Sequence, residues 1–185
     1  MPSLDVLTIN KQIWHSDDLV EVMWRAFSYF PEGIWEGVNY VGNVAVKQDL
    51  KIKSGDDLLR AFLFSHLLRE IREMRSAYRV QELLLGVTHD PVIIMFHRLE
   101  GNRFKRVVNL VHDYVTSDVG IISLFETEED SASKVTAHGL GHNQGLEHHL
   151  EPLDLMYEGL LNGKPIRING FCNECQQELD KRAKK

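Results

Sequence analysis

Cysteine is scarce in this sequence, and the signals of export or membrane insertion are missing. Only two cysteines, Cys172 and Cys175, occur among 185 residues, which excludes a disulfide framework as the basis of the fold. No uncharged apolar run reaches the roughly 18 residues that a membrane-spanning helix needs. The start of the chain shows no basic segment followed by an apolar one, so we expect no secretory signal. These absences together predict a cytoplasmic protein that does not enter a membrane.

Positive charge is also limited, which narrows the classes of partner. The chain has 21 Lys and Arg residues against 27 Asp and Glu residues, so its net charge is −6. Because there is neither a basic stripe nor a Gly-rich phosphate loop after a strand, we expect no nucleic-acid partner and no nucleotide site. Apolar residues make up 43% of the chain, enough to bury one core, and the length favours a single domain. Histidine is the unusual residue, with nine copies.

Apolar periodicity predicts an alternation of helices and strands. Helical spacing predicts helices over residues 19–30 and 54–75, the second with His66 inside its apolar face, and a third from about Ser131 to Asn143. Apolar runs predict strands over residues 4–9, 44–46, 82–88, 92–96, 107–111 and 120–125. Helices interleaved with strands are typical of an α/β or α+β domain with a mixed sheet.

The third predicted helix carries a cluster of histidines. His138 and His142 are four residues apart, so their imidazoles lie one above the other on one helix face and can bind one metal ion. Gly145 stands where the helix would end with a left-handed residue, and the turn there can bring His148 to the same ion. Three neutral imidazoles with one open position are a catalytic type of zinc geometry. The alternative is a His-rich surface turn without a function.

The cluster resembles the metal-binding motif of a known peptidase family. The three ligand positions and the glycine of the metzincin motif HExxHxxGxxH are matched by His138, His142, Gly145 and His148. Among metzincins, the sequence is most similar to the archaemetzincins, over about residues 81–179. Metzincins also have a methionine turn beneath the metal, and the resemblance assigns this turn to Met156.

This resemblance implies a fold, a cofactor and a division of the chain. The implied fold class is α/β, with a metzincin-like mixed twisted sheet, a zinc-binding active-site helix and a short C-terminal helical subdomain. Residues 1–145 would hold the sheet and the zinc helix, and residues 146–185 the methionine turn and a CxxC motif. The implied cofactor at the three histidines is Zn²⁺, although imidazole trios also suit Fe, Ni and Cu.

A second, structural Zn²⁺ is also implied by the resemblance. Archaemetzincins hold a second zinc with cysteines after the third histidine and a later CxxC. In this sequence Cys172 and Cys175 form the CxxC, while His149 and Asp154 stand at the other two ligand positions. An oxygen ligand is less usual than nitrogen beside two thiolates. A thiol redox pair near a helix N-terminus and two free cysteines are the alternatives.

One residue departs from the metzincin motif. The family's general base is the Glu directly after the first histidine, and this sequence has Gly139 there. Such a group typically contributes about 10²–10⁴-fold to the rate, and neither Glu147 nor Glu151 has the helical spacing to replace it. If the helix is placed as inferred, Gly139→Glu is expected to raise hydrolysis. Because Gly139 and Gly141 each cost a helix about 1 kcal/mol relative to Ala, we expect another side chain, backbone or ligand to fill the space beside them.

Three functions are consistent with these residues. The first is a zinc-dependent hydrolase that cleaves a peptide or a related amide with zinc-bound water. The second is a catalytically inactive pseudo-peptidase that binds zinc and a peptide or small ligand. The third is a purely structural metal domain, for which four protein ligands at the first zinc would be diagnostic.

Overall fold

The fold is described from a computed structural model, which covers residues 3–10, 15–116, 118–158, 160, 168 and 170–184. The strands in these residues are β1 (Ser3–Ile9), β2 (Gly37–Val44), β3 (Leu50–Ser54), β4 (Asp57–Leu63), β5 (Leu83–Thr88), β6 (Val92–Glu100), β7 (Arg103–Val111), β8 (Asp113–Val115) and β9 (Val119–Ser123). The helices are α1 (Ser16–Phe27), α2 (Phe64–Ala77), α3 (Glu129–Asn143) and α4 (Asn173–Ala183). None of the described helices is long and apolar enough to cross a membrane.

The larger sheet has five strands in the order β2-β1-β5-β9-β8. The first four strands run parallel, and only the edge strand β8 is antiparallel to its neighbour. Strand β5 is buried at every residue, as its continuous apolar run predicts. Its side chains alternate between two cores, because Leu83 and Leu85 pack with residues of α1 and α3, whereas Leu84 packs with residues of α2. The sheet therefore holds α3 on one face, with β8 beside it.

The smaller sheet has four strands in the order β3-β4-β6-β7. Strands β4 and β6 pair in parallel, and β6 and β7 form a long antiparallel hairpin. Both sheets are therefore mixed, and with four helices they confirm the predicted α/β class. The predicted strands over residues 92–96 and 107–111 are the inner parts of the longer β6 and β7.

The helix predicted over residues 54–75 is wrong in its first half. Strands β3 and β4 form an antiparallel hairpin there, with Gly55 in the turn at φ +59°. The apolar residues of β4 mimic helical spacing, but Leu58 is exposed, and α2 begins only at Phe64. His66 lies outside the core, because its imidazole is exposed and contacts the Asp49 carboxylate at 2.8 Å.

Other boundaries also differ from the prediction. Helix α1 ends at Phe27, although Phe30 still packs in the core. The strand predicted at residues 44–46 lies earlier, because the Gly-punctuated stretch before it forms β2 and extends the sheet. Helix α3 includes the predicted range and begins two residues earlier, at Glu129.

Candidate metal centre

Helix α3 ends in the turn that the glycine pattern predicts. Gly145 has φ +76°, and its N–H donates to the carbonyl of His142 at 2.8 Å. The next N–H, of Leu146, donates to the carbonyl of Gly141 at 3.0 Å. A Cβ on Gly145 would also lie 2.8 Å from a guanidinium nitrogen of Arg182 in α4. Glycine is therefore favoured by the left-handed backbone, whereas the Arg182 guanidinium, at the end of a flexible side chain, could shift to admit a Cβ.

We expect Gly145→Ala to destabilise the protein, because alanine in a left-handed conformation costs about 1–3 kcal/mol. The melting temperature should then fall by several degrees, since about 1 kcal/mol corresponds to about 2–4 °C in a chain of this size. Thermal unfolding at equal metal content measures this change. Gly170→Ala is the matched control, because a Cβ there would meet no atom within 4 Å. Equal melting temperatures for the two variants would contradict the prediction.

The turn brings the three histidines of the predicted motif together. The Nε2 atom of His138 lies 3.0 Å from that of His148 and 3.3 Å from that of His142. The third separation, between His142 and His148, is 3.0 Å. These lengths are close to the edge of about 3.3 Å expected for a tetrahedral zinc site with Zn–N bonds of about 2.0–2.1 Å. His138 is buried and His148 is exposed, so the group opens to solvent on one side.

Two backbone carbonyls fix the orientation of the rings. The Nδ1–H of His138 donates to the carbonyl oxygen of Leu155, and the Nδ1–H of His142 donates to that of Leu146 at 2.9 Å. Since a neutral imidazole carries one proton, the Nε2 atoms of these rings present lone pairs to each other. Three converging nitrogen atoms fit a bound cation.

Electrostatics favours the neutral form that a metal ligand needs. Burial lowers the pKa of His138, and burial together with the neighbouring His138 lowers the pKa of His142 and of His148. The group is therefore uncharged near neutral pH and available for metal binding without first losing protons.

A methionine lies against the helix that carries the ligands, where the resemblance placed a methionine turn. Leu155 and Met156 are fully buried, and a Cβ on Gly141 would lie 2.7 Å from Met156 Sδ. This close approach explains Gly141, because any side chain would displace the methionine. The expectation that other side chains fill the space beside the helix glycines is confirmed at this position.

The second helix glycine faces the edge strand of the larger sheet. A Cβ on Gly139 would lie 3.0 Å from Val115 Cγ2 and 3.4 Å from Asp113 Cβ, so two side chains of β8 fill this space. Asp113 Oδ2 lies 3.4 Å from His138 Nε2, and the Asp113 side chain is only 4% exposed. Burial raises the pKa of Asp113 to about 6, although the positive forms of His142 and His148 would oppose this shift.

Sequence reasoning missed Asp113. It lies two residues after a predicted strand and 25 residues before His138, with no local spacing that joins it to the histidines. Only the antiparallel pairing of β8 with β9 brings it to α3. Glu147 and Glu151, the two acids weighed from sequence, are exposed and lie outside the three-histidine group.

The four residues predicted for a second metal site also lie together. His149 Nε2 is 3.7 Å from Cys172 Sγ, 3.4 Å from Cys175 Sγ and 2.5 Å from Asp154 Oδ2. Cys172 caps the N-terminus of α4, and Cys175 lies one turn later in the helix. The adjacent residues His148 and His149 therefore point to two different groups.

The chemistry of this second group also fits a cation. Burial raises the pKa of Cys175, and the nearby Asp154 carboxylate raises it further. Burial alone would raise the pKa of Asp154, but hydrogen bonds from the Cys172 thiol and the Met156 N–H lower it below its usual value. A fully buried carboxylate beside two thiols is stabilised by a positive charge at its centre.

Comparison with known proteins gives matches only at the level of structure. No family model matches the sequence, and no curated protein matches it. The archaemetzincin from Methanopyrus kandleri superposes with a TM-score of 0.62 at 16% identity, over 100% of this chain and 96% of that chain. The archaemetzincin from Archaeoglobus fulgidus, complexed with malonate, gives 0.57 at 17% identity, over 95% of this chain and 99% of that chain.

A third solved structure has a similar fold. The zinc-dependent peptidase from Methanocorpusculum labreanum superposes with a TM-score of 0.58 at 16% identity, over 95% of this chain and 99% of that chain. At 16–17% sequence identity, these similarities show the fold alone. The TM-scores and the nearly complete coverage of both chains show that this chain has an archaemetzincin-like fold.

Proposed function

We propose that the protein is a zinc-dependent hydrolase of the metallopeptidase type, which cleaves a peptide or a related amide. The observation that carries this proposal is the convergence of three Nε2 atoms, 3.0–3.3 Å apart, on an archaemetzincin-like fold. The exposed His148 leaves the group accessible to a substrate. A closed structural site would instead need a fourth protein ligand, and the group of described residues contains three.

Residues of this chain would have two roles at the site, binding the ion and orienting its ligands. His138, His142 and His148 would bind the ion through Nε2, and the carbonyls of Leu155 and Leu146 would keep two of these rings in position. When bound, zinc would polarise a substrate carbonyl and lower the pKa of a water molecule to about 7.

A structural role for the second group is part of the same proposal. His149, Asp154, Cys172 and Cys175 form a four-ligand set, as structural zinc sites do. Such a site would join the segment after the third histidine to α4. The redox alternative is less well supported, because a redox pair needs only the two thiols and leaves the buried Asp154 without a role.

The second candidate function is a catalytically inactive pseudo-peptidase that binds zinc and a peptide or small ligand. A specific observation favours it, since α3 has Gly139 where the metzincin motif has its general base. The two candidates differ in turnover, and they predict the same metal content.

Cleavage of a peptide library by zinc-loaded protein separates the candidates. We expect the wild type to contain two zinc ions per chain and to cleave peptides. His142→Ala should lose one ion and all detectable cleavage, because removal of a histidine ligand opens the site. His97→Ala, at an exposed position of β6, is the matched control. Zinc binding without cleavage would support the pseudo-peptidase, and a wild type that binds no metal would refute both candidates.

A further inference from the structure

We propose that Asp113 supplies, from the edge strand β8, the carboxylate that α3 lacks and acts as the general base of the reaction. This inference rests on the proposed hydrolase function and assigns a residue to its missing step. In the metzincin motif the carboxylate stands on the helix, whereas here it would stand on the neighbouring strand. Gly139 and Asp113 together would then replace a single glutamate.

The first observation concerns the space beside Gly139. A Cβ built on this glycine would lie 3.6 Å from Asp113 Oδ2. This distance corresponds to the reach of a glutamate side chain from its Cβ to a carboxylate oxygen. The Asp113 carboxylate therefore lies where a glutamate on α3 could place its own, and Gly139 is the residue that leaves room for it.

The second observation is the nitrogen that Asp113 faces. His138 uses Nδ1 to donate to the Leu155 carbonyl, so the contact of 3.4 Å with Asp113 Oδ2 is made by Nε2, on the side of the three-nitrogen group. A carboxylate that only orients a ligand would bond to the other nitrogen. Asp113 is not part of the compact ligand group, whose atoms all lie within 4.8 Å of one another. It therefore lies beside the centre, where a general base is needed.

The third observation is that Asp113 Oδ2 is buried without a hydrogen-bond partner among the described residues. A buried polar atom without a partner is costly, and a catalytic role or a bound water molecule is a physical reason for one. The strand holds the carboxylate firmly, because Asp113 pairs with Ile122 of β9 and Val115 packs over Gly139. A water molecule at the centre would give this oxygen its partner.

In the proposed step, Asp113 moves one proton. Its carboxylate accepts a proton from water as the water oxygen bonds to the carbonyl carbon of the amide. The same proton then passes to the leaving nitrogen as the C–N bond breaks. A carboxylic acid and an amine are released, and Asp113 returns to its ionised form.

The test compares Asp113→Asn with Asp57→Asn. Asp57 is the matched control, because it is an exposed carboxylate of strand β4 that belongs to neither candidate metal group and takes the same substitution. We expect Asp113→Asn to keep two zinc ions per chain and to lose about 10²–10⁴-fold in kcat/KM. Its affinity for acetohydroxamate should fall about 10–100-fold, because the wild-type carboxylate accepts a hydrogen bond from this ligand. Asp57→Asn should match the wild type in all three measurements.

The outcomes distinguish this inference from the proposed function. Wild-type cleavage and hydroxamate affinity in a zinc-loaded Asp113→Asn protein would overturn the inference and leave the hydrolase in place. Loss of one zinc ion would also overturn it, because Asp113 would then be a ligand. A wild type that binds zinc and cleaves nothing would refute the hydrolase itself. If Asp113→Asn fails to fold, Asp113→Ser is measured in the same way, with zinc content as the check of folding.

Discussion

Replacing both thiols, in Cys172→Ser/Cys175→Ser, is expected to remove one zinc ion per chain and to lower the free energy of unfolding by about 3–5 kcal/mol. The reason is the buried carboxylate of Asp154, which is 0% exposed. Without a cation and the two thiols, this buried charge keeps the His149 imidazole and the Met156 N–H as partners, and it loses the positive charge of the metal. The melting temperature should fall by at least 6 °C, since each kcal/mol corresponds to about 2–4 °C in a chain of this size.

The effect should extend to the three-histidine group, because the two groups share a short segment of chain. Asp154 belongs to the second group, and the next residue, Leu155, orients His138 through its carbonyl. Met156 follows and packs against Gly141 of α3. Loss of the second zinc should therefore weaken zinc binding at the first group without removing any of its ligands.

Metal content, zinc affinity and thermal unfolding measure these effects in one series. Glu174→Gln is the matched control, because Glu174 lies between the two cysteines and its side chain is exposed. The prediction fails if the double variant keeps two zinc ions per chain and melts with the wild type. Two free cysteines without a metal would give that result.

The sequence predicts the histidine cluster because the relevant geometry is local. The spacing of His138 and His142 fixes their common helix face, and a glycine after the helix indicates the turn that carries His148 back. The strand β5 is equally predictable, since its apolar run is continuous and its burial on both faces follows from two cores. In each case, residues that are close together along the chain are enough to predict the local structure.

Two features depend on pairing between strands, and sequence reasoning failed on both. The residues of β4 have apolar spacing that also suits a helix, and only pairing with β3 and β6 selects the strand. Asp113 reaches α3 because β8 pairs antiparallel with β9 at the edge of the sheet. No periodicity records that pairing, so the sequence offers only Glu147 and Glu151 as acids near the histidines and gives no sign of Asp113.

The contact between Asp113 and Gly139 also changes what a restored glutamate should do. Sequence alone suggests that Gly139→Glu raises hydrolysis. In the structure, a Cβ on Gly139 would lie 3.0 Å from Val115 Cγ2, and overpacking of this kind costs about 1–3 kcal/mol. The new carboxylate would also stand beside the buried Asp113, and like charges this close disfavour each other. We therefore expect the single variant to be less stable and less active than the wild type.

Moving the carboxylate back to the helix requires that the strand carboxylate be removed. Gly139→Glu/Asp113→Ala should cleave peptides about 10²-fold faster than Asp113→Ala, at the lower end of the range of a general base. Gly139→Gln/Asp113→Ala is the matched control, because glutamine has the shape of glutamate and cannot accept the proton. Measurements of kcat/KM at equal zinc content compare the three. Equal rates for the glutamate and glutamine variants would show that position 139 cannot deliver a base, whereas a higher rate for glutamate alone would show that the two positions serve one step.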